Sequence, residues 1–114
     1  MRDMLNTIYT QMDEKQADDI KILDVSELTS IADYFVIASA DNERKVKSIA
    51  DAIEDELAKN GTEPRVKEGF GTSRWILLDY GDVIVHVFKD EERGFYNIEK
   101  IWKDAADITS EFIK

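Results

Sequence analysis

Trp75-Ile76-Leu77-Leu78-Asp79-Tyr80-Gly81-Asp82-Val83-Ile84-Val85-His86-Val87-Phe88 decides the fold, because two runs rich in apolar and β-branched residues flank a two-residue Gly-Asp step. That pattern predicts a β-hairpin whose loop is Gly81-Asp82. With that loop fixed, Tyr80 faces Val83, Leu78 faces Val85 and Ile76 faces Val87 on one side of the sheet, which makes that side core. The other side pairs Asp79 with Ile84, Leu77 with His86 and Trp75 with Phe88. It mixes large apolar groups with an acid and an imidazole. Two readings of this second face stand: a protein-binding surface anchored by the tryptophan, or a face covered by the helix that follows the hairpin.

Working outward, Gly69-Phe70-Gly71-Thr72-Ser73 reads as a turn, preceded by a short strand over 65–68. Upstream, Val46, Ile49, Ala50, Ile53 and Leu57 recur at helical spacing and predict an amphipathic helix between about 42 and 60. Asp41 or Asn42 caps its start, and Asn60-Gly61 supplies a left-handed exit before Pro64. Asn60-Gly61-Thr62 also fits a glycosylation sequon, but the helix-ending role accounts for the residues. Met1, Met4, Leu5, Ile8 and Met12 predict a first helix, and Ile20, Ile22 and Tyr34-Phe35-Val36-Ile37-Ala38 predict two strands between the helices. After the hairpin, a third helix is expected to begin after Asp90, turn Phe95, Ile98, Ile101 and Trp102 inward, and finish near Asp104. Residues 105–114 have weak helical spacing and read as a loosely attached end. The order α-β-β-α-β-β-β-α, without repeat or linker, describes a single mixed α/β (α+β) domain, a mixed sheet with flanking helices.

The chain has 114 residues, enough to bury a core without metal or disulfide staples. It has no cysteine, which removes disulfide scaffolds, thiolate zinc sites and cysteine nucleophiles together. With 25 acidic and 15 basic residues the net charge is −10, a field that repels phosphate backbones and anionic lipid. No N-terminal apolar leader and no bilayer-spanning stretch is visible, so the expected compartment is the cytoplasm.

Catalytic chemistry finds few candidates. His86 is the only histidine, and no serine stands in a nucleophile elbow. A zinc site would have too few donors. Asp18 and Asp19 diverge if extended, while Asp79 and Asp82 straddle a tight turn, so neither pair forms the Asp-x-Asp step that sets two carboxylates on one face for Mg²⁺. Gly69-x-Gly71 precedes a strand and lacks the helix N-terminus that would hold a phosphate. No catalytic residue, metal or cofactor is expected.

The sequence resembles the ribosome silencing factors, also called Iojap-like proteins. The matching stretches are 32–39 (Ala-Asp-Tyr-Phe-Val-Ile-Ala-Ser), Asn42-Glu43-Arg44-Lys45-Val46, Glu68-Gly69, 74–88 (the hairpin with Arg74), and Arg93-Gly94-Phe95-Tyr96-Asn97-Ile98-Glu99 with Ile101-Trp102. They run in order to about Ala105. On that basis 1–105 is the family-like domain, and 106–114 is a C-terminal extension of unknown role.

The resemblance implies a domain related to the nucleotidyltransferase fold and a non-enzymatic role. It implies binding to the large ribosomal subunit through the ribosomal protein numbered fourteen, which blocks the small subunit sterically and represses translation when nutrients are short. It places the partner-binding residues on Trp75, Leu77, Asp79, Tyr80, Gly81, Asp82, Ile84 and His86. Ribosomal proteins are typically basic, so an acidic domain is steered to protein rather than to the surrounding RNA. The alternatives are a large-subunit assembly factor, an active nucleotidyltransferase-type enzyme, or a homodimer built through the second sheet face.

Overall fold

A six-stranded sheet of order β3-β4-β5-β2-β1-β6 organises the computed structural model, which describes residues 2–113. The strands are β1 (Asp18–Asp24), β2 (Tyr34–Ala40), β3 (Val66–Glu68), β4 (Trp75–Asp79), β5 (Val83–Lys89) and β6 (Ala106–Asp107). All neighbours are antiparallel except β2 and β5, which run parallel at the centre. A parallel pair needs a crossover, and helix α2 (Glu43–Lys59) lies within it.

Strand parity gives the sheet two different faces. Ile22, Val36, Ala38, Ile76, Leu78, Val83, Val85 and Val87 point to the first face and are fully buried. They pack against Leu5, Ile8 and Met12 of α1 (Arg2–Glu14) and Val46, Ile49, Ala50, Ile53 and Leu57 of α2. These are the periodic residues of the two expected helices, apart from Met4, which sits at the cluster edge, and Met1, which lies outside the described residues. The cap of α2 is the expected one: Lys45 N donates to Asn42 Oδ1 at 2.8 Å, and Gly61 leaves with φ +79°.

The second face carries Leu23, Phe35, Ile37, Ile84 and Phe88, roofed by Ile98 and flanked by Trp102. Its cover differs from the expected third helix. The segment forms α3 (Asp90–Tyr96) and a single turn α4 (Ile98–Ile101), broken at Asn97 with φ 45°. Asn tolerates the left-handed region, and one such residue redirects the chain, so helical phase does not carry across it. Ile98 is buried and Trp102 packs edge-on against Phe35 at 5.1 Å as expected, whereas Phe95 and Ile101 are turned outward, 80% and 70% exposed.

The C-terminal segment is also not loosely attached. β6 pairs with β1 through Leu23↔Asp107 and Asp24↔Ala106, Ile22 N donates to Thr109 Oγ1 at 2.8 Å, and Phe112 is buried in the first core. Arg2 of α1 closes on Glu111 by an ion pair. The described part of 106–114 is therefore structurally continuous with the domain expected to end at 105. Two paired residues and one buried ring carry no periodicity from which this could be read.

Candidate functional site

The hairpin register is the expected one: Trp75↔Phe88, Ile76↔Val87, Leu77↔His86, Leu78↔Val85 and Asp79↔Ile84. Its loop has positive φ only at Gly81 (+91°), the first central position, as a type II′ connection requires. Asp79 Oδ1 accepts from Gly81 N at 2.8 Å, and Arg65 pairs with Asp79 at 3.4 Å. The other end of β4 is set by Gly69, with φ +90°. A Cβ there would lie 1.9 Å from the Trp75 carbonyl oxygen, so only glycine lets the incoming chain pass that close to the start of β4.

Trp75 stacks on Phe88 (4.8 Å between centroids, 28°) and leans on Tyr96 (4.8 Å). Its Nε1–H donates to His86 Nδ1 at 3.1 Å. That bond makes Nδ1 the acceptor and puts the imidazole proton on Nε2, which is buried without a partner. His86 is 6% exposed among Phe35, Trp75 and Phe88, and burial pushes its imidazole down to about 4. A neutral imidazole bonded to an indole and walled by aromatic rings has no nucleophile to activate, so its place here is in the packing.

The expected binding residues therefore fall into separate groups. Trp75, Leu77 and Asp79 form the half-buried outward row of β4, and Gly81 and Asp82 cap it at the loop. Ile84 and His86 are buried beneath the α3–α4 side of the sheet and present almost no surface. Tyr80 belongs to the first face, where it packs against the α1–α2 core; desolvation, with the charges of Glu54 and Glu63, pushes its hydroxyl well above the usual tyrosine range. α3 and α4 cover the β5–β2 half of the second face, and the β4 half stays open.

Sequence reasoning missed four neighbours of that open row. Val66 stands opposite Asp79 and Glu68 opposite Leu77, so both share its face, and both are exposed. Tyr96 and Phe95 continue the row beyond Trp75, edge to face with each other at 5.1 Å. An exposed phenylalanine leaves about 1.5–3 kcal/mol of burial unrealised. The α3 segment that carries it is nonetheless firmly anchored, since Arg93 donates to Glu99 (2.7 Å), Ser39 Oγ (3.1 Å) and the Asp18 carbonyl (3.1 Å).

Elsewhere, a groove over α1 and α2 is lined by Lys15, Arg44, Lys47, Asp51, Glu56 and Lys59, with Lys47–Asp51 and Lys59–Glu56 ion pairs at 2.8 Å. Among the described residues no cluster of three or more His, Cys, Asp or Glu could hold a metal ion, and no helix is long and apolar enough to cross a membrane.

The model of a family described as "Ribosomal silencing factor during starvation", RsfS, matches residues 1–114. The chain belongs to this family. It is similar to "Ribosomal silencing factor RsfS" of Bacillus subtilis strain 168, 41% identical over 109 residues, 94% of this chain and 92% of the relative. The protein of the same name from Halalkalibacterium halodurans is 36% identical, covering 96% of this chain and 94% of the relative. A crystal structure from Chromobacterium violaceum superposes with a TM-score of 0.87 at 31% identity, over 90% of this chain and 86% of that one. The family name describes a regulatory role in ribosome silencing, in agreement with the resemblance carried by the hairpin and Arg93–Glu99 stretches.

Proposed function

We propose that this chain is a translational repressor, not an enzyme, that docks the open β4 row on the large ribosomal subunit and sterically prevents the small subunit from joining. The partner is the ribosomal protein numbered fourteen, and the compartment is the cytoplasm, where those ribosomes are. The family supports the ribosome as target. The observation that carries the reading is the half-covered second face, on which Trp75, Leu77, Tyr96 and Phe95 leave aromatic and apolar surface facing solvent within a polar rim. The net charge of −10 favours a basic protein over the surrounding RNA as the contact.

Sedimentation with separated subunits tests this. The protein should travel with large subunits and not small ones, and at saturation should suppress formation of complete ribosomes. Leu77→Asp, which puts a charge in the middle of the row, should abolish both effects while the circular dichroism spectrum is unchanged. Equal binding to both subunits, or undisturbed joining at saturation, refutes the proposal.

A further inference from the structure

Trp75 pairs with Phe88 across β4 and β5, and His86 lies two residues away from Phe88 on the same face. The Trp75 Nε1–H donates to His86 Nδ1 at 3.1 Å, so the indole lies diagonally across that face with its N–H turned toward the covered half. The imidazole that accepts it is walled in turn. Phe35 meets it edge-on at 5.3 Å, Phe88 lies nearly parallel to it at 6.0 Å, and Trp102, just after α4, packs against Phe35 at 5.1 Å. A chain of packed rings therefore runs from the cover through His86 to the open row. As filler the imidazole is a poor choice, since its Nε2–H is buried without a partner and a leucine would occupy similar space without stranding a donor. What it supplies and an apolar side chain cannot is an acceptor for the indole.

We infer that His86 is a positioning residue for docking: by accepting the Trp75 N–H it holds the indole against Phe88, so that the partner meets a preset apolar ring and not a hydrogen-bond donor. This rests on the docking of the β4 row proposed above and adds how that row is kept ready. The ring contacts of Trp75 with Phe88 and with Tyr96, both at 4.8 Å, do not choose between an inward and an outward N–H. The hydrogen bond is directional and makes that choice. Ordering a loose side chain on docking costs the equivalent of about two- to tenfold in affinity, and a ring already held avoids that cost. With the N–H satisfied inside the domain, apolar groups of the partner can cover the indole without stranding a polar atom.

Binding of the full-length protein to purified large subunits tests this with His86→Leu, Trp75→Phe, the two combined, and the reference variant Leu77→Asp. His86→Leu should weaken binding about two- to tenfold while melting close to the parent. Introduced into Trp75→Phe, the same change should leave binding where Trp75→Phe put it, because His86 acts through an N–H that is already gone. It should nevertheless raise the melting temperature of that background, since it removes two stranded ring nitrogens. Binding and stability then move independently, which a role confined to packing does not allow. In proton–nitrogen correlation spectra the Trp75 indole signal, assigned by its loss in Trp75→Phe, should exchange slowly with solvent in the parent and quickly in His86→Leu. If Leu77→Asp abolishes binding while His86→Leu binds like the parent, or loses as much in the Trp75→Phe background as alone, His86 only packs and this inference fails while the docking reading stands. If Leu77→Asp binds like the parent, the docking reading itself fails, whatever His86 does. Two further results overturn the inference: an indole proton that exchanges fast in the parent, and a double variant whose binding recovers to the parental level together with its stability.

Discussion

Replacing Trp75 by phenylalanine isolates what the Trp75–His86 hydrogen bond contributes. A phenylalanine ring can keep much of the stacking on Phe88 and Tyr96, but the Nε1–H that reaches His86 Nδ1 at 3.1 Å is gone. His86 is 6% exposed and its Nε2 already lacks a partner, so both ring nitrogens are then buried and unpaired. Stranding a buried polar group costs about 1–3 kcal/mol, and the smaller ring loses up to ~1 kcal/mol of aromatic contact. A loss of about 2–3 kcal/mol in a domain of this size lowers the melting temperature by roughly 10 °C. His86→Leu removes both nitrogens, and the indole of half-buried Trp75 can turn its N–H to water, so that variant should lose about 1 kcal/mol or less. The double variant should be more stable than the sum of the single losses by about 1 kcal/mol or more, read from urea unfolding of all four proteins. A Trp75→Phe protein that melts with the parent, or a strictly additive double variant, would refute the reasoning.

Acid should reveal the same histidine. Burial holds its pKa at about 4 in the folded chain against 6.5 unfolded, so the unfolded state binds the extra proton; stability is complete above about pH 6.5, declines as pH falls to about 4, and levels off below. That loss is about 3 kcal/mol. Urea midpoints across pH should show this decline in the parent and a flat window in His86→Leu, with the carboxylate limb, to which Asp24 contributes through hydrogen bonds from Ser26, lying lower. At the C-terminus, Phe112→Ala should destabilise the fold by about 3–5 kcal/mol in thermal unfolding, because Phe112 lies in the first core; a parental melting temperature would restore the loosely attached end.

What the sequence discloses and conceals follows the range of the signals. Gly81-Asp82 between two apolar runs fixes the hairpin register by local turn chemistry, and with it which residues share a face. The helix of Val46 to Leu57 is equally local, since its period, its Asn42 cap and its Gly61 exit lie within twenty residues or so of one another. The parallel pairing of β2 with β5 joins residues far apart in the chain and leaves no local mark. The break at Asn97 defeats periodicity for a different reason. The apolar spacing of Phe95, Ile98, Ile101 and Trp102 is helical, but one left-handed residue resets the phase, and half of those side chains end up outside. Thus Leu77 and Asp79 could be placed on the candidate surface from parity alone, whereas the burial of His86 and Ile84 depends on a cover that only the fold reveals.

That break also explains why the second face is half covered. A continuous helix from Asp90 to Asp104 would turn Phe95 and Ile101 onto the sheet and close the face into an ordinary core. Interrupted at Asn97, the segment drops Ile98 and Trp102 onto β2 and β5 but sends Phe95 and Tyr96 sideways to the end of the β4 row. The residues that could have completed the core are spent instead on an exposed aromatic edge, which sacrifices folding stability. Arg93, one turn earlier, holds the arrangement by tying α3 to Glu99, Ser39 and the Asp18 carbonyl. An aromatic surface anchored in this way has already lost its conformational freedom during folding, so a partner that docks on it need not order it again, and more of the contact energy appears as affinity.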